Sequence, residues 1–305
     1  MQDEKQQSAA PHEILYRHVR EWGHCDVLID PMAGNPFEEE IKAFDSKIVQ
    51  QCRLMDRLFV DSQAQAPYLV RLPLSEAVLL EKFLAQAIEE TIDPSVHTRA
   101  ICAFIFSPLE QATLGKRLTR QLSAKVQDFG DIYFRYFDPR VMQQLPCILG
   151  AEQLAGILHG VRLWGYVSWP GQFNVIQEPS TENYPTTPAF TMPQWEAMER
   201  IALINATLHT LQSAEVALTE DADQCIDAHL KTARAAGIPV AADQVTYATY
   251  SMKVGDEFTR HPDLPKSIAI TMQSKVPLAD VLEQKFGHPL QSVAFKQTPD
   301  QRASA

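Results

Sequence analysis

Residues 101–106, ICAFIF, are apolar without a break. The run is far shorter than the ~18 apolar residues of a membrane-spanning helix, and its Ile and Phe content favours an extended strand. A strand with no polar side must be covered on both faces, which calls for a sheet flanked by helices. The next four residues are equally definite. Ser107-Pro108-Leu109-Glu110 combines a serine that can accept from first-turn amides, a proline suited to the first helical position and a glutamate that completes a capping box. Leu114, Leu118, Leu122 and Val126 then form a stripe four residues apart.

Other strand and helix signals alternate around this unit. CDVLID (25–30) predicts a strand, and EEEIKAFDSKIVQQC (38–52) a helix with acids in its first turn. RLFV (57–60) and PYLVRL (67–72) read as short extended segments, the second stopped by Pro73. Ser75 is the expected cap of a helix that buries Leu80, Leu84, Ala87 and Ile88. IYFRYF (132–137) predicts a strand ending at Asp138-Pro139, from which a short helix runs to about Leu149. VRLWGYVSW (161–169) and GQFNVIQ (171–177) form a hairpin around Pro170-Gly171. Strand–helix units with short links imply parallel strands, and the hairpin an antiparallel edge. Residues 12–178 are therefore expected to form a mixed sheet flanked by helices, an α/β lobe.

Residues 179–193 hold four prolines and little apolar matter, and serve as the expected linker. Beyond them the period becomes helical, so 194–288 should form an all-helical lobe. Its helices are expected over 191–214, 219–239 and about 241–254, ending at Gly255, and from Pro277 to Gly287. Residues 289–305 should be a loose tail.

Composition narrows the function. Lys+Arg 27 against Asp+Glu 38 leaves a net charge of −11, which argues against binding a phosphate backbone. Twelve glycines in 305 residues are few, and no GxGxxG, GxxxxGK[ST] or GxSxG occurs, so the commonest nucleotide and hydrolase sites are excluded. Five dispersed cysteines with no Cys-x-x-Cys read as reduced core residues, not as a disulfide or zinc framework. The polar opening segment lacks a signal-peptide core, which with the thiols suggests the cytosol. No heptad seam marks a coiled coil.

Two constellations fail on geometry. His12 and His18 lie six apart, about 240° round a helix, and cannot share a metal. His24, Cys25 and Asp26 are neighbours in a strand, where adjacent side chains point to opposite faces. The densest polar group is Arg135-Tyr136-Phe137-Asp138-Pro139-Arg140. Two arginines and an aspartate at the end of a strand could serve anion binding or acid–base chemistry. The reading we favour is a strand-to-helix corner in which Asp138 caps, Pro139 starts the helix and an arginine pairs with a nearby carboxylate. Trp195 and Met198 sit at core spacing on the first helix of the second lobe, and the expected cleft between lobes is a place for a peptide partner.

The words and their order resemble a known family. CDVLID, then Ala66-Pro67-Tyr68-Leu69-Val70, a strand closing on Ser107-Pro108, the basic turn Lys116-Arg117-Leu118, Phe134-Arg135-Tyr136-Phe137-Asp138-Pro139-Arg140-Val141, and Trp164 at the hairpin are similar to the effector-adaptor domain of type VI secretion, the Tap/TEC chaperones. The resemblance covers 25–177. One departure is that the family's striped helix often has His-Leu-Arg where this chain has Arg117-Leu118-Thr119.

The resemblance implies a non-enzymatic bacterial cytoplasmic protein that binds one effector and helps mount it on the VgrG spike, with no cofactor and no metal. Pro67, Tyr68, Ser107, Pro108, Arg135, Asp138, Pro139 and Arg140 are then family-motif positions, and Trp195 and Met198 candidate partner contacts. The alternatives are an enzyme with a cleft site at Arg135, Asp138 and Arg140, and an immunity protein that blocks a toxin directly.

Overall fold

The computed structural model describes residues 10–44, 46, 48–93, 98–179, 184–219 and 221–286. In chain order, α1 (Pro11–Trp22) leads through Gly23 into β1 (His24–Ile29), followed by α2 (Glu38–Ala43), β2 (Gln50–Arg53) and β3 (Tyr68–Pro73). Next come α3 (Ala77–Ile92), β4 (Ile101–Phe106), α4 (Gln111–Arg120), β5 (Ser123–Val126) and β6 (Gly130–Tyr133). Three short helices, α5 (Pro139–Met142), α6 (Leu145–Ile148) and α7 (Ala151–Leu158), precede the hairpin of β7 (Leu163–Ser168) and β8 (Gln172–Gln177), then β9 (Ala189–Phe190). The remainder is helical: α8 (Met192–Ser213), α9 (Ala222–Ala235), α10 (Ala241–Val254), α11 (Asp256–Thr259), α12 (Leu264–Ser274) and α13 (Leu278–Phe286). The chain divides between Met198 and Glu199, within α8, into two compact units.

The apolar run is β4, and it lies inside a six-stranded sheet of order β2-β3-β1-β4-β7-β8. Alternation splits its side chains between two cores. Phe104 and Phe106 join Val27, Ile29, Val70 and Leu72 beneath Leu15 and Val19 of α1 and Leu80, Phe83 and Leu84 of α3. Ala103 and Ile105 join Leu28, Leu69 and Trp164 beneath Leu114 and Leu118 of α4, together with Tyr136 and Phe137. Helices on one side, sheet, helices on the other: the three layers follow from the unbroken run.

The parallel strands expected of the strand–helix units are corrected. Every pairing in the large sheet is antiparallel. The β3–α3–β4 unit does join two strands that run the same way, but β1 is inserted between them and pairs antiparallel with both. Among the described residues, parallel pairing occurs only between β5 and β9, in a small second sheet of order β6-β5-β9.

Several boundaries also differ. The helix expected over 38–52 stops at Ala43, and Gln50–Arg53 is an edge strand instead. Residues 57–59 form a tight helical turn, with Asp56 accepting from the Leu58 amide. Ser75 does not cap α3; it lies in a preceding turn, and Glu76 holds the cap position without a side-chain bond. β6 ends at Tyr133; Phe134 and Arg135 are irregular and the turn itself is Tyr136–Phe137. Within the proline-rich segment, β9 pairs with β5 and buries Phe190, so this stretch is not a bare linker.

In the second unit, the latter part of α8 packs Ile204 and Leu211 with Ile226 and Leu230 of α9 and Ala248 of α10. Tyr247 and Tyr250 of α10 meet Phe258, Leu264, Ile268, Leu278, Leu282 and Phe286 in a second cluster. α10 ends at Gly255, whose φ of 70° suits a residue without Cβ. α12 has no counterpart among the expected helices. The expected tail, 289–305, and the helix end at Gly287 lie outside the described residues.

Candidate functional site

The Arg135–Arg140 segment is the densest polar group, and the structure places it where β6 turns into α5. Phe134, Tyr136 and Phe137 are buried, and the Tyr136 hydroxyl donates to the Leu118 carbonyl at 2.9 Å. That anchoring fixes the direction of the intervening Arg135. Its guanidinium lies over the Phe137 ring at 5.5 Å and donates to the Asp30 carboxylate at 2.6 Å. Asp30 closes the CDVLID word and accepts the Met32 amide at 3.0 Å.

Asp138 carries the other half of the network. Its Oδ1 accepts from the Arg140 amide at 3.0 Å and from Arg140 Nε at 2.9 Å, while Oδ2 accepts from Arg140 Nη2 at 2.7 Å. Arg135 Nη2 stands 3.8 Å from the same Oδ2. So Asp138 caps α5, Pro139 occupies the first turn, and Arg140 folds back on the cap, as the corner reading expects.

Electrostatics follow from burial and partners. Burial works to raise Asp138, but the hydrogen bonds and charge of Arg140, with Arg135 behind it, outweigh that and hold the carboxyl below its usual range. Asp30 goes the other way: burial raises it, and Arg135 only partly compensates. Arg99, depressed first by burial and then by the charge of Arg140, completes the cluster. Chemically this is a clamp. Carboxylates and arginines satisfy one another and tie the end of β1 to the turn and to α5.

Other motif positions also hold the fold together. Pro67 is buried and its carbonyl accepts the Leu54 amide at 2.8 Å. Tyr68 accepts from the Asn35 side chain and lies under Arg53 at 5.1 Å. Ser107 is buried, donates to the Gly160 carbonyl at 2.6 Å and accepts the Leu109 amide at 3.1 Å. It therefore shapes the loop before α4 and does not cap the helix, which begins at Gln111. Pro108 is exposed in that loop and is not the first helical residue. Trp195 and Met198 are half-buried against the core of the first unit, and the Trp195 ring lies 6.4 Å from that of Phe129.

Sequence reasoning names Asp26 but not its partner, Arg71. Asp26, fully buried in β1, faces Arg71 directly across the β1–β3 ladder and accepts from Nε at 3.0 Å and Nη2 at 2.6 Å. Arg71 also donates to the Leu109 carbonyl at 2.9 Å, joining the sheet to the loop after β4. A signal for it does exist: a carboxylate inside an apolar strand word has to find a cation. Strand alternation places Cys25 in the opposite core, where burial pushes its thiol well up. His24 Nε2 stands 4.0 Å from Asp26, on the Asp26 face.

Residues 27–156 match the family model of a domain of unknown function, DUF4123. The DUF4123 match runs from Val27, within β1, through most of α7, and takes in Asp30, Arg71, Ser107 and the whole Arg135–Arg140 corner, while Asp26 precedes it. The β7–β8 hairpin, β9 and the second unit lie beyond it. No curated protein and no solved structure matches the chain. Among the described residues no helix is long and apolar enough to cross a membrane, and no group of three or more His, Cys, Asp or Glu is placed to hold a metal ion.

Proposed function

We propose that this chain is a non-enzymatic adaptor of bacterial type VI secretion. It binds one cognate effector in the cytoplasm and assists its loading onto the VgrG spike. The observation that carries this reading is that the DUF4123 match falls on the segment whose words resemble the effector adaptors. The polar network supports it in turn. An enzyme built on Arg135, Asp138 and Arg140 would have to free one of these groups for a substrate, and each is already engaged with a partner in the corner.

The role needs surface and no chemistry. An effector awaiting export exposes apolar segments that would otherwise pair or aggregate, and a folded adaptor covers them until contacts with the spike displace it. Co-expression of the chain with candidate effector and spike proteins of the same secretion system, followed by pull-down, tests the proposal. The effector is expected to copurify. If neither protein does so while each is soluble, the adaptor reading is wrong.

A further inference from the structure

The two edges of the large sheet differ. β2 is a short strand that carries Arg53, and its Gln50 carbonyl accepts from the Gln111 side chain at 3.1 Å. Brevity, charge and partial capping are means by which sheets avoid stray pairing. β8 is longer and uncharged, and its side-chain bond, from Asn174 to the Gln172 carbonyl at 3.1 Å, sits at its first residue. Gln172-Phe173-Asn174-Val175-Ile176-Gln177 contains no charge, no proline and no glycine.

Register decides which of its groups face outward. The Glu178 amide donates to the Arg162 carbonyl at 3.3 Å, so the bonded pairs of this hairpin include Ile176 with Trp164 and Asn174 with Tyr166. The N–H and C=O groups of Phe173, Val175 and Gln177 therefore point away from β7. Among the described residues none of them has a hydrogen-bond partner on that side. Donors and acceptors recur there about every 6.8 Å, two residues of extended chain. Another extended backbone matches such a row group for group.

The neighbouring side chains set the chemistry of that backbone. Phe173 and Val175 belong to the core under α1 and α3, while Ile176 packs in the opposite core with Trp164. Phe173 is already covered, whereas Val175 and Ile176 are half-buried, so a strand laid along β8 meets one partly open apolar side chain on each face, between the exposed Gln172 and Gln177. We propose that β8 is the client-binding edge: an extended, proline-free, mainly apolar effector segment of about five or six residues adds to the sheet beside it. This inference rests on the adaptor reading and names the part of the surface that does the binding.

Val175→Pro removes an outward N–H and leaves every β7–β8 bond in place, since proline is tolerated on an edge where its nitrogen faces solvent. Gln177→Pro does the same at the end of the strand and serves if the first variant misfolds. With the chain co-expressed with the effector it binds, wild type should retain the effector. Variants with an unchanged melting profile should retain about tenfold less. The amides of Phe173, Val175 and Gln177 should exchange hydrogen quickly in the free chain and slowly in the complex. Undiminished retention by folded variants overturns the client edge and leaves the adaptor reading intact. Loss of the effector from wild type overturns both. A dimer of the chain alone that the same prolines dissociate shows that a second copy fills the edge, and also overturns the proposal.

Discussion

At the scale of single residues, the buried carboxylates give the sharpest tests, because each is held by named partners. Asp138→Ala removes a cap, about 1 kcal/mol, and also strands Arg140, so the total cost should approach the ~3 kcal/mol of a broken buried pair. Urea denaturation would measure it; a loss no larger than a cap alone would mean that the Arg140 contact adds nothing. Because the folded carboxyl of Asp138 titrates below its unfolded value, its contribution is present above about pH 4 and is lost as pH falls through the folded value. The gap between wild type and the variant should therefore narrow in acid. Glu90 has the opposite sign. It is buried, it accepts the Ala100 amide at 2.9 Å and that of Ile101 at 3.3 Å, and burial nevertheless raises its carboxyl. As pH rises from about 4.3 the unfolded carboxyl ionises first and the native state loses ground. Glu90→Gln, which cannot ionise, should gain stability relative to wild type between pH 4 and pH 7 in denaturation at each pH. A relative loss over that range would contradict the assignment. The sequence exposed the corner at 135–140, because cap, proline and arginine are adjacent there. It hid the Asp26–Arg71 and Asp30–Arg135 pairs, because nothing local says which distant cation a strand aspartate will meet.

Elements were legible where one face or both are continuously apolar, as in β1, β4 and the hairpin, and illegible where packing overrides local preference. Residues 38–52 have the composition of one helix, yet β3 takes Gln50–Arg53 as an edge partner. A proline-rich stretch looks like a linker, yet β5 takes Ala189–Phe190 as a neighbour. The approach of α4 to β2 gives a test at this scale. A Cβ on Gly115 would lie 2.5 Å from Cys52 Sγ. Alanine is the better helix former by about 1 kcal/mol, but overpacking costs about 1–3 kcal/mol. Gly115→Ala should therefore destabilise, and Cys52→Ala in the same chain should restore the loss. Thermal melts of both variants decide this. A single variant more stable than wild type would show that the helix stands further from the strand.

At the scale of the whole molecule, the two units have separate cores and separate reporters. Trp22, Trp164, Trp169 and Trp195 all precede the division at Met198, whereas helical signal comes from both units. Leu211 is fully buried in the second unit, and its truncation to alanine should cost about 2–5 kcal/mol there. Circular dichroism should then lose part of its helical signal at lower denaturant, while tryptophan fluorescence keeps its midpoint. Coincident shifts of both probes would show that the units unfold as one. The inserted first strand carries a consequence for biosynthesis. β1 emerges from the ribosome before either of its flanking partners, residues 68–73 and 101–105, has been made. Nascent chains halted short of β4 hold a sticky central ribbon with one side empty, so translation pauses in that interval are where this protein most needs a holding chaperone of its own.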